Sequence, residues 1–344
     1  MEPIRWDENK LLLLDQRELP RKICYVKCNN ASDVYNAIKK MIVRGAPAIG
    51  VAGAYGLVLS LKDYKKNNGD SELEYLKQVA KMLVSSRPTA INLEWALSRV
   101  ISAAENCSSQ NFHDLLLDEA MSVHRSDLEG NYKMGRIGAK LISSNSSIIT
   151  HCNAGALATS GYETALGVIK KASQNGDIEK IYVTETRPWL QGSRLTASEL
   201  LYDDLSVTII VDSAAGYLMN SERIDWVIVG ADRVTLNGDV INKIGTYNLA
   251  ILAKKHSARF MVVAPTSTID LATESGFDVK IEHRDEEEIK YFNNQLIAPK
   301  NVRVFNPVFD VTPNSLIDVL VTEKGSILSP NRQKIKHLIH DQNI

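Results

Sequence analysis

The feature that most constrains the fold is an alternation, from about residue 145 onward, of short β-branched runs with helical segments. The β-branched runs are SIIT, IEKIYVTE, VTIIVD, DWVIVGA and RFMVVAP. Apolar runs of this length, separated by helices, indicate a parallel sheet that is covered on both faces. The pattern therefore predicts a doubly wound, Rossmann-like α/β fold for this part of the chain.

The preceding part of the chain is predicted to be mainly helical after a small β element. KLLLLDQRELPRKICYVKC contains two strand-like runs on either side of a turn, and segments with helical periodicity follow. A chain of 344 residues is long for one hydrophobic core. We therefore predict two domains, a mainly helical N-terminal domain at residues 1–140 and a Rossmann-like catalytic domain at residues 141–344.

Charge and cysteine content narrow the class of protein. The formal net charge is −1 and the chain has no basic stripe, which argues against nucleic acid as a partner. Its apolar stretches are too short for a signal sequence or a membrane span. Four irregularly spaced cysteines predict a reducing compartment without a disulfide framework. We expect a cytoplasmic protein that binds neither nucleic acid nor a membrane.

Polar residues follow every predicted strand of the α/β domain. They are His151-Cys152-Asn153, Glu185-Thr186-Arg187-Pro188, Asp212-Ser213, Gly230-Ala231-Asp232-Arg233 and Pro265-Thr266. In open parallel sheets, ligands bind beyond the carboxyl ends of the strands. The sequence therefore predicts a ligand site along this edge of the sheet.

Cys152, in SIITHCNAG, admits four interpretations: a metal ligand, half of a disulfide, a nucleophile or a buried thiol. No His or Cys recurs nearby at ligand spacing, so a metal site is disfavoured. A buried thiol is the most common state of a free cysteine. A thiol at the end of a strand, followed by the start of a helix, would instead be favoured as a thiolate. Both of these interpretations stay open on the residues alone.

Asp232 directly follows the apolar run WVIVGA. A carboxylate at the end of a buried strand is suited to general acid or base chemistry. Asp is also a common cap of helices and turns. The residues alone favour neither interpretation.

A phosphate site is predicted from four residues. Asn242 and Lys243 are predicted to open a helix, whose free amides and positive dipole end attract anions. Arg44 precedes GAPAIG and Arg87 precedes a proline, so each has a restrained backbone. Arginine suits bidentate phosphate binding, although a surface ion pair is the ordinary alternative.

The chain lacks the glycine motifs of nucleotide cofactors. No G-x-G-x-x-G follows the first strand of the α/β domain, and no G-x-x-x-x-G-K-[ST] occurs. Gly45, Gly50, Gly53 and Gly56 lie in an Ala-rich segment instead, which predicts close helix packing. Neither a dinucleotide nor a nucleoside triphosphate is therefore expected.

Several long motifs resemble one enzyme family. They are RGAPAIG (44–50), RPTAINLEWAL (87–97), THCNAGALAT (150–159), ETRPWLQGSRLTASEL (185–200), GADRV (230–234), NKIGTYNLA (242–250) and NPVFDVTP (306–313). Together they resemble the methylthioribose-1-phosphate isomerases, whose superfamily includes the eIF2B regulatory subunits and ribose-1,5-bisphosphate isomerase. The similarity extends through nearly the whole chain.

This resemblance implies an aldose–ketose isomerisation in methionine salvage, from 5-methylthioribose 1-phosphate to 5-methylthioribulose 1-phosphate. It also implies a homodimer and no metal or organic cofactor. Carried over by position, it implies Cys152 and Asp232 as catalytic residues. The implied contacts to the sugar-phosphate substrate are Arg44, Gly45, Ala46, Arg87, Gln191, Asn242 and Lys243. Of these, Gly45, Ala46 and Gln191 as binding residues rest on the resemblance alone.

One position departs from the family pattern, and three related functions compete with the implied one. Where the family usually has Gly-Tyr-Gly-Thr, this chain has Glu163 in place of the second glycine. We expect Glu163 to lie in a helix and face solvent; facing the pocket, it would alter substrate preference. The competing functions are a 5-deoxyribose-1-phosphate isomerase, a ribose-1,5-bisphosphate isomerase and a non-catalytic eIF2B-like interaction subunit.

Overall fold

The structure is a computed structural model, and its described residues are 1–64, 71–87, 90–106 and 112–340. Cys107, and the Pro88 that follows Arg87, lie outside these residues. The other three cysteines, Cys24, Cys28 and Cys152, are free thiols.

The chain begins with a small antiparallel sheet followed by five helices. The strands, paired in the order β1-β2-β3, are β1 (Ile4–Asp7), β2 (Lys10–Leu14) and β3 (Tyr25–Cys28). The helices are α1 (Ala31–Lys39), α2 (Ala46–Ser60), α3 (Glu72–Ser85), α4 (Ile91–Glu105) and α5 (Phe112–Ala139). The mainly helical character predicted for this part is confirmed.

Helix α2 forms the centre of this helical part. Every residue of α2 except Pro47 is buried, and the helix packs on α1, α3, α4 and α5. A Cβ added to Gly50 would lie 2.7 Å from the carbonyl oxygen of Asn92 on α4. The two backbones can approach this closely only because the residue is glycine, which confirms the packing predicted from the small residues.

The rest of the chain is built on a seven-stranded sheet with the strand order β16-β15-β10-β7-β4-β5-β6. Five strands are the predicted runs: β4 (Ser146–Thr150), β5 (Ile178–Thr184), β6 (Thr208–Ile210), β7 (Trp226–Val229) and β10 (Arg259–Val263). The two others are β15 (Val319–Thr322) and β16 (Gly325–Leu328). All pairings are parallel except β15 with β16.

Both faces of this sheet are covered, as a doubly wound fold requires. Neighbouring residues alternate between two hydrophobic clusters: Ile148 belongs to one and Ile149 to the other. One face packs against α5, α6 (Ala165–Gln174) and α7 (Ala197–Tyr202). The other packs against α8 (Ala215–Ser221), α9 (Thr246–His256) and α11 (Arg332–His340). The predicted Rossmann-like α/β fold is confirmed.

A second, smaller sheet was not predicted. It has the order β11-β8-β9-β14, with β8 (Arg233–Thr235), β9 (Val240–Lys243), β11 (Ile269–Asp270) and β14 (Phe309–Thr312). Helix α10 (Glu287–Lys290) and the hairpin of β12 (Tyr291–Phe292) and β13 (Gln295–Leu296) lie between β11 and β14 in the chain. Asn242 and Lys243 lie in β9, so the prediction that they open a helix is wrong.

Two further predictions concern membrane-spanning helices and the boundary between domains. Across the described ranges, no helix is both long and apolar enough to cross a membrane. Helix α5 ends at Ala139 and β4 begins at Ser146. The division into domains at residue 140 stays a prediction.

Candidate active site

One cavity, with about 700 Å³ of open space, lies at the carboxyl ends of β4, β7 and β10. All nine residues predicted for the site line this cavity: Arg44, Gly45, Ala46, Arg87, Cys152, Gln191, Asp232, Asn242 and Lys243. The helical part forms one wall, because the Arg44 guanidinium donates to the Asn153 carbonyl oxygen at 2.8 Å. The site is therefore built between the first five helices and the edge of the large sheet.

Cys152 sits in a tight turn directly after β4, with a φ of 60°. Its backbone N–H donates to the Thr186 hydroxyl at 2.9 Å, and its carbonyl accepts from the Thr196 hydroxyl. The Thr186 N–H in turn donates to the Asp212 carboxylate at 2.8 Å. The half-buried thiol is thus oriented by residues that follow two neighbouring strands.

No helix begins directly after Cys152, contrary to the prediction that helped to favour a thiolate. A short 3₁₀ turn covers Ala156–Ala158, and α6 starts only at Ala165. The thiol therefore has no helix dipole of its own. Lys243 is one cation close enough to interact with it: burial lowers the pKa of Lys243, and Cys152 partly offsets that effect.

Glu199 stabilises the turn at Cys152, a role that was not predicted from the sequence. Its carboxylate is buried and accepts from the Asn153 side-chain amide at 2.6 Å and from the Leu157 N–H at 3.0 Å. Gly155 leaves room for it, since a Cβ there would lie 2.3 Å from a carboxylate oxygen. Glu199 therefore holds the chain between Cys152 and Leu157 in place.

Asp232 lies three residues beyond the end of β7 and is half-buried in the wall of the cavity. Its N–H donates to the Ile241 carbonyl oxygen at 3.0 Å, which joins the end of β7 to β9. Burial lowers the pKa of both Lys243 and Arg87, and the charge of Asp232 partly offsets this in each case, so its carboxylate stands close to two cations. Such a carboxylate is placed to exchange a proton with a ligand in the cavity.

Lys243 is the most deeply buried cation of the site. Its ammonium donates to the Val308 carbonyl oxygen at 3.1 Å and lies 4.8 Å from the centre of the Phe309 ring. Burial lowers its pKa to about 8. A bound dianion would favour the charged form of Lys243, so phosphate binding and protonation of this group reinforce each other.

Arg87 and Arg284 add positive charge to the same wall. Burial lowers the pKa of Arg87, and the neighbouring charge of Arg284 lowers it further. Arg284 also lines the cavity, while its side chain contacts Glu282 at 3.2 Å and Glu288 at 3.9 Å. Arg284 was missed in the sequence because nothing in its local pattern distinguishes it from a surface arginine.

The helix terminus that faces the cavity is that of α2, not that of α9. Gly45, Ala46 and Pro47 line the cavity, and the α2 terminus has no side-chain cap. At the start of α9, by contrast, the N–H groups of Gly245 and Tyr247 both donate to the Asp310 carboxylate, at 2.7 and 3.1 Å. The positive end of α2 is therefore the one open to an anion.

Three buried polar atoms of the lining have no hydrogen-bond partner among the described residues. They are Nη1 of Arg44 and the side-chain carbonyl oxygens of Asn153 and Gln191. A buried polar atom without a partner is costly, so such atoms usually mark a ligand contact. The Arg44 atom is a donor and the two oxygens are acceptors, which suits an anion at the first and hydroxyl groups at the others.

His151 links the end of β4 to the ends of β5 and β9 through its two ring nitrogens. His151 is buried and its ring nitrogens contact the Thr184 hydroxyl at 2.6 Å and the Ile244 carbonyl oxygen at 2.9 Å. Burial lowers the pKa of His151, so the ring is a neutral bridge between β4 and the end of β9.

Within the described ranges, no three His, Cys, Asp or Glu side chains are grouped as a metal would need.

Glu163 does not face solvent, and that prediction is wrong. It precedes α6 and is only 4% exposed, and it is not among the residues that line the cavity. Burial raises its pKa to about 8, and the charge of Glu199 raises it further. The departure from the family pattern thus places a second carboxyl group next to the one that holds the Cys152 turn.

Glu163→Gln should flatten the dependence of stability on pH. Folded Glu163 keeps its proton up to about pH 8, whereas its ordinary pKa is 4.5. The folded state therefore binds one more proton in this window, and the free energy of unfolding falls as pH rises through it. The loss is at most about 5 kcal/mol, since a tenfold change in proton affinity is worth about 1.4 kcal/mol. Urea unfolding at a series of pH values measures this dependence.

The exposed Glu179 provides the matched control for this prediction. Glu179→Gln makes the same chemical change. Because an exposed carboxyl group keeps its ordinary pKa range, this variant should keep the wild-type slope of unfolding free energy against pH between pH 5 and 8. An unaltered slope in Glu163→Gln would mean that Glu163 ionises in the folded protein as it does in water.

Comparisons with known proteins agree with the geometry. The sequence model of the initiation factor 2 subunit family matches residues 42–329. The methylthioribose-1-phosphate isomerase of Carboxydothermus hydrogenoformans is 50% identical, over 98% of this chain and 99% of that protein.

Two crystal structures share the fold over nearly the whole chain. That of 5-methylthioribose 1-phosphate isomerase from Pyrococcus horikoshii OT3 superposes with a TM-score of 0.89 at 39% identity, covering 98% of this chain and 95% of that one. The structure of translation initiation factor eIF-2B, subunit delta, from A. fulgidus superposes with a TM-score of 0.84 at 43% identity, covering 97% of this chain and 99% of that one. By this extent of identity and coverage, the chain belongs to the initiation factor 2 subunit family and, within it, to the methylthioribose-1-phosphate isomerases.

Proposed function

We propose that this protein is the aldose–ketose isomerase that converts 5-methylthioribose 1-phosphate to 5-methylthioribulose 1-phosphate in methionine salvage. The observation that carries the proposal is the meeting of a thiol, a carboxylate, three cations and an uncapped helix terminus in one cavity. These are Cys152, Asp232, the cations Arg44, Arg87 and Lys243, and the start of α2. Relatives that are 48% and 50% identical over nearly the whole chain carry this activity in their names.

The chemistry explains why the site needs an acid. In a sugar 1-phosphate the anomeric oxygen is esterified, so the ring cannot open as a free hemiacetal does. Opening breaks the bond between C1 and the ring oxygen, and that oxygen must receive a proton. We assign this proton to Asp232, which stands in the wall of the cavity.

The second half of the reaction moves one hydrogen from C2 to C1. The C2 hydroxyl loses its proton and becomes the ketone, and that loss balances the proton gained by the ring oxygen. We place the Cys152 thiol beside C1 and C2, as base or as stabiliser of the charge that develops there. The support is its position at the end of β4 and the hydrogen bonds that orient its turn.

The phosphate is assigned to the cationic end of the cavity. The start of α2 offers free backbone N–H groups, and Arg44 has a buried donor without a partner. Lys243 and Arg87 add charges whose burial strengthens their attraction for an anion. The unpartnered oxygen of Gln191 is assigned to a hydroxyl of the sugar.

The 5-substituent is assigned to the apolar part of the lining. Met41, Val263 and Phe309 belong to the same cavity. An apolar pocket distinguishes a methylthio group from a smaller substituent by only about 1–3 kcal/mol for each group of methylene size. A 5-deoxyribose 1-phosphate is therefore expected to react more slowly rather than to be excluded.

A non-catalytic subunit is the second candidate, because one close structural relative is named as an eIF-2B subunit. Such a subunit would need a partner surface and no reaction site. The complete set of acid, thiol and phosphate-binding groups around one cavity favours the enzyme instead.

We also propose that the chain forms a homodimer and works in the cytoplasm. Edge strand β6 and helix α8 leave Ile209, Val211 and Tyr217 exposed, a pattern typical of subunit interfaces. The free thiols of Cys24, Cys28 and Cys152 fit a reducing compartment. A monomeric mass in sedimentation equilibrium would contradict the dimer.

A substrate panel tests the proposed function. The purified chain is incubated with 5-methylthioribose 1-phosphate, 5-deoxyribose 1-phosphate and ribose 1,5-bisphosphate, and ketose formation is followed. We expect the highest kcat/KM for the methylthio sugar and about 10–200-fold less for the deoxy sugar. Faster turnover of the bisphosphate would transfer the assignment to that substrate, and no turnover of any of them would favour the non-catalytic subunit.

A further inference from the structure

A second, outer hollow opens beside the cavity of the candidate site. It encloses about 1550 Å³ of open space between the loop after β2 and the hairpin of β12 and β13. Its lining is rich in arginine and aromatic side chains: Arg17, Arg21, Arg187, Arg194, Trp189, Tyr291 and Phe292. We call this hollow the vestibule.

The vestibule and the inner cavity lie on either side of a small cavity and share wall residues with it. The small cavity shares Arg17, Trp189 and Arg194 with the vestibule. It shares Met41, Arg44 and Gln191 with the inner cavity. The three hollows therefore adjoin one another from the vestibule to the Arg44 guanidinium.

Three of the four arginines contribute positive charge that is not matched by a carboxylate in the contacts they make. Arg194 donates to four backbone carbonyl oxygens, which bind its guanidinium without cancelling its charge. Arg187 donates to the Pro188 carbonyl oxygen, and Arg21 is exposed. Arg17 differs, because it pairs with Asp15 at 2.7 Å.

Only one carboxylate, that of Glu288, belongs to the described lining of the vestibule. Glu288 already faces Arg284, at 3.9 Å, on its inner side. Burial lowers the pKa of Arg194, and the charges of Arg21 and Arg44 lower it further, while the charge of Glu18 acts in the opposite direction. Arginine side chains close enough to act on one another thus extend from Arg21 through Arg194 to Arg44.

We propose that the vestibule is an outer anion-binding site, which captures the phosphate group of the incoming sugar phosphate and guides it to the inner cavity. This rests on the proposed function for the identity of the anion. A cleft lined by one sign of charge concentrates the opposite charge and raises association rates by about 10–10³. The aromatic rings of Trp189 and Phe292 offer the sugar an apolar surface on the way.

Charge reversal at Arg21 tests the proposal, since this exposed side chain lies outside the inner cavity. Steady-state kinetics with 5-methylthioribose 1-phosphate are measured from about 0.01 M to about 1 M salt, where the Debye length falls from ~30 to ~3 Å. Arg21→Glu should lower kcat/KM about tenfold at low salt with an unchanged kcat. The difference from wild type should vanish at high salt, and Arg187→Glu should add to the effect.

Two control variants separate charge from structure. Arg21→Lys keeps the charge and should restore the wild-type kcat/KM. Lys140→Glu makes the same change of net charge at an exposed residue that leads into the amino end of β4, at the opposite edge of the sheet, and should match wild type.

The outcomes distinguish this proposal from the proposed function. A wild-type protein without turnover would contradict the function itself. Normal wild-type turnover, with kcat/KM of Arg21→Glu equal to wild type at low salt, would overturn the vestibule alone. An equal loss in Lys140→Glu would overturn it too, because net charge rather than the vestibule would then decide the rate.

Discussion

Asp232→Asn should lower kcat for 5-methylthioribose 1-phosphate by about 10²–10⁴, the usual worth of a positioned general acid. Asparagine has the same shape as aspartate but cannot deliver the proton that the ring oxygen needs. The backbone N–H that donates to Ile241 is retained, so the end of β7 should keep its position. KM should change much less than kcat, because the phosphate is assigned to other residues. Steady-state kinetics of both proteins measure the two constants.

A matched variant shows whether the loss belongs to this position. Asp118 is exposed on α5 and does not line the cavity. Asp118→Asn makes the identical chemical change. It should retain wild-type kcat, and the melting temperatures of both variants should stay close to wild type. Full turnover by Asp232→Asn would remove this carboxylate from the mechanism.

Gly45→Ala should both destabilise the protein and weaken substrate binding. Gly45 has a φ of 94°, and a Cβ there would lie 2.5 Å from the backbone of Ala158. The conformation alone costs alanine about 1–3 kcal/mol, and overlap with backbone atoms adds about 1–3 kcal/mol. Relief of that overlap would move the start of α2 away from the Cys152 turn. We therefore expect a lower free energy of unfolding and a raised KM for the sugar phosphate.

Gly176 separates these two contributions. It has a φ of 82°, but a Cβ there would meet nothing within 4 Å. Gly176→Ala should therefore show the conformational cost alone, with an unchanged KM. Urea unfolding and steady-state kinetics are compared for both variants. An equal fall in the free energy of unfolding in both variants would mean that the overlap with Ala158 contributes nothing at Gly45.

The strands of the large sheet and the edge that holds the site were predictable from local pattern. β4, β5, β6, β7 and β10 are short apolar runs, and their polar ends meet because parallel strands point the same way. Strand β9 was not predicted because its last residues, in NKIG, lead directly into a helix. The strand is defined instead by its pairing with β14, which lies far away in the sequence. A strand of four residues in a secondary sheet has too short a pattern to be separated from the helix that follows it.

The supporting residues were not predictable, for a physical reason. Glu199 lies in a short segment with ordinary helical polarity, and its burial depends on contacts with Asn153 and Leu157, more than forty residues away. Glu163 is likewise a buried carboxyl group, in the loop just before α6. A charged side chain is usually exposed, so local periodicity predicts the wrong environment whenever a functional loop needs a carboxylate beneath it.

The burial of α2 on all sides has a consequence for how the enzyme responds to heat and to ligand. Arg44, Gly45 and Ala46 stand at the end of a helix that forms the middle of a hydrophobic cluster. Such a helix cannot tilt or fray without opening that cluster. We therefore expect the proposed phosphate-binding end of the site to be preorganised, with the entropy of fixing it spent during folding rather than at each turnover. On this proposal, heating that opens the helical core also abolishes phosphate binding, in one cooperative transition.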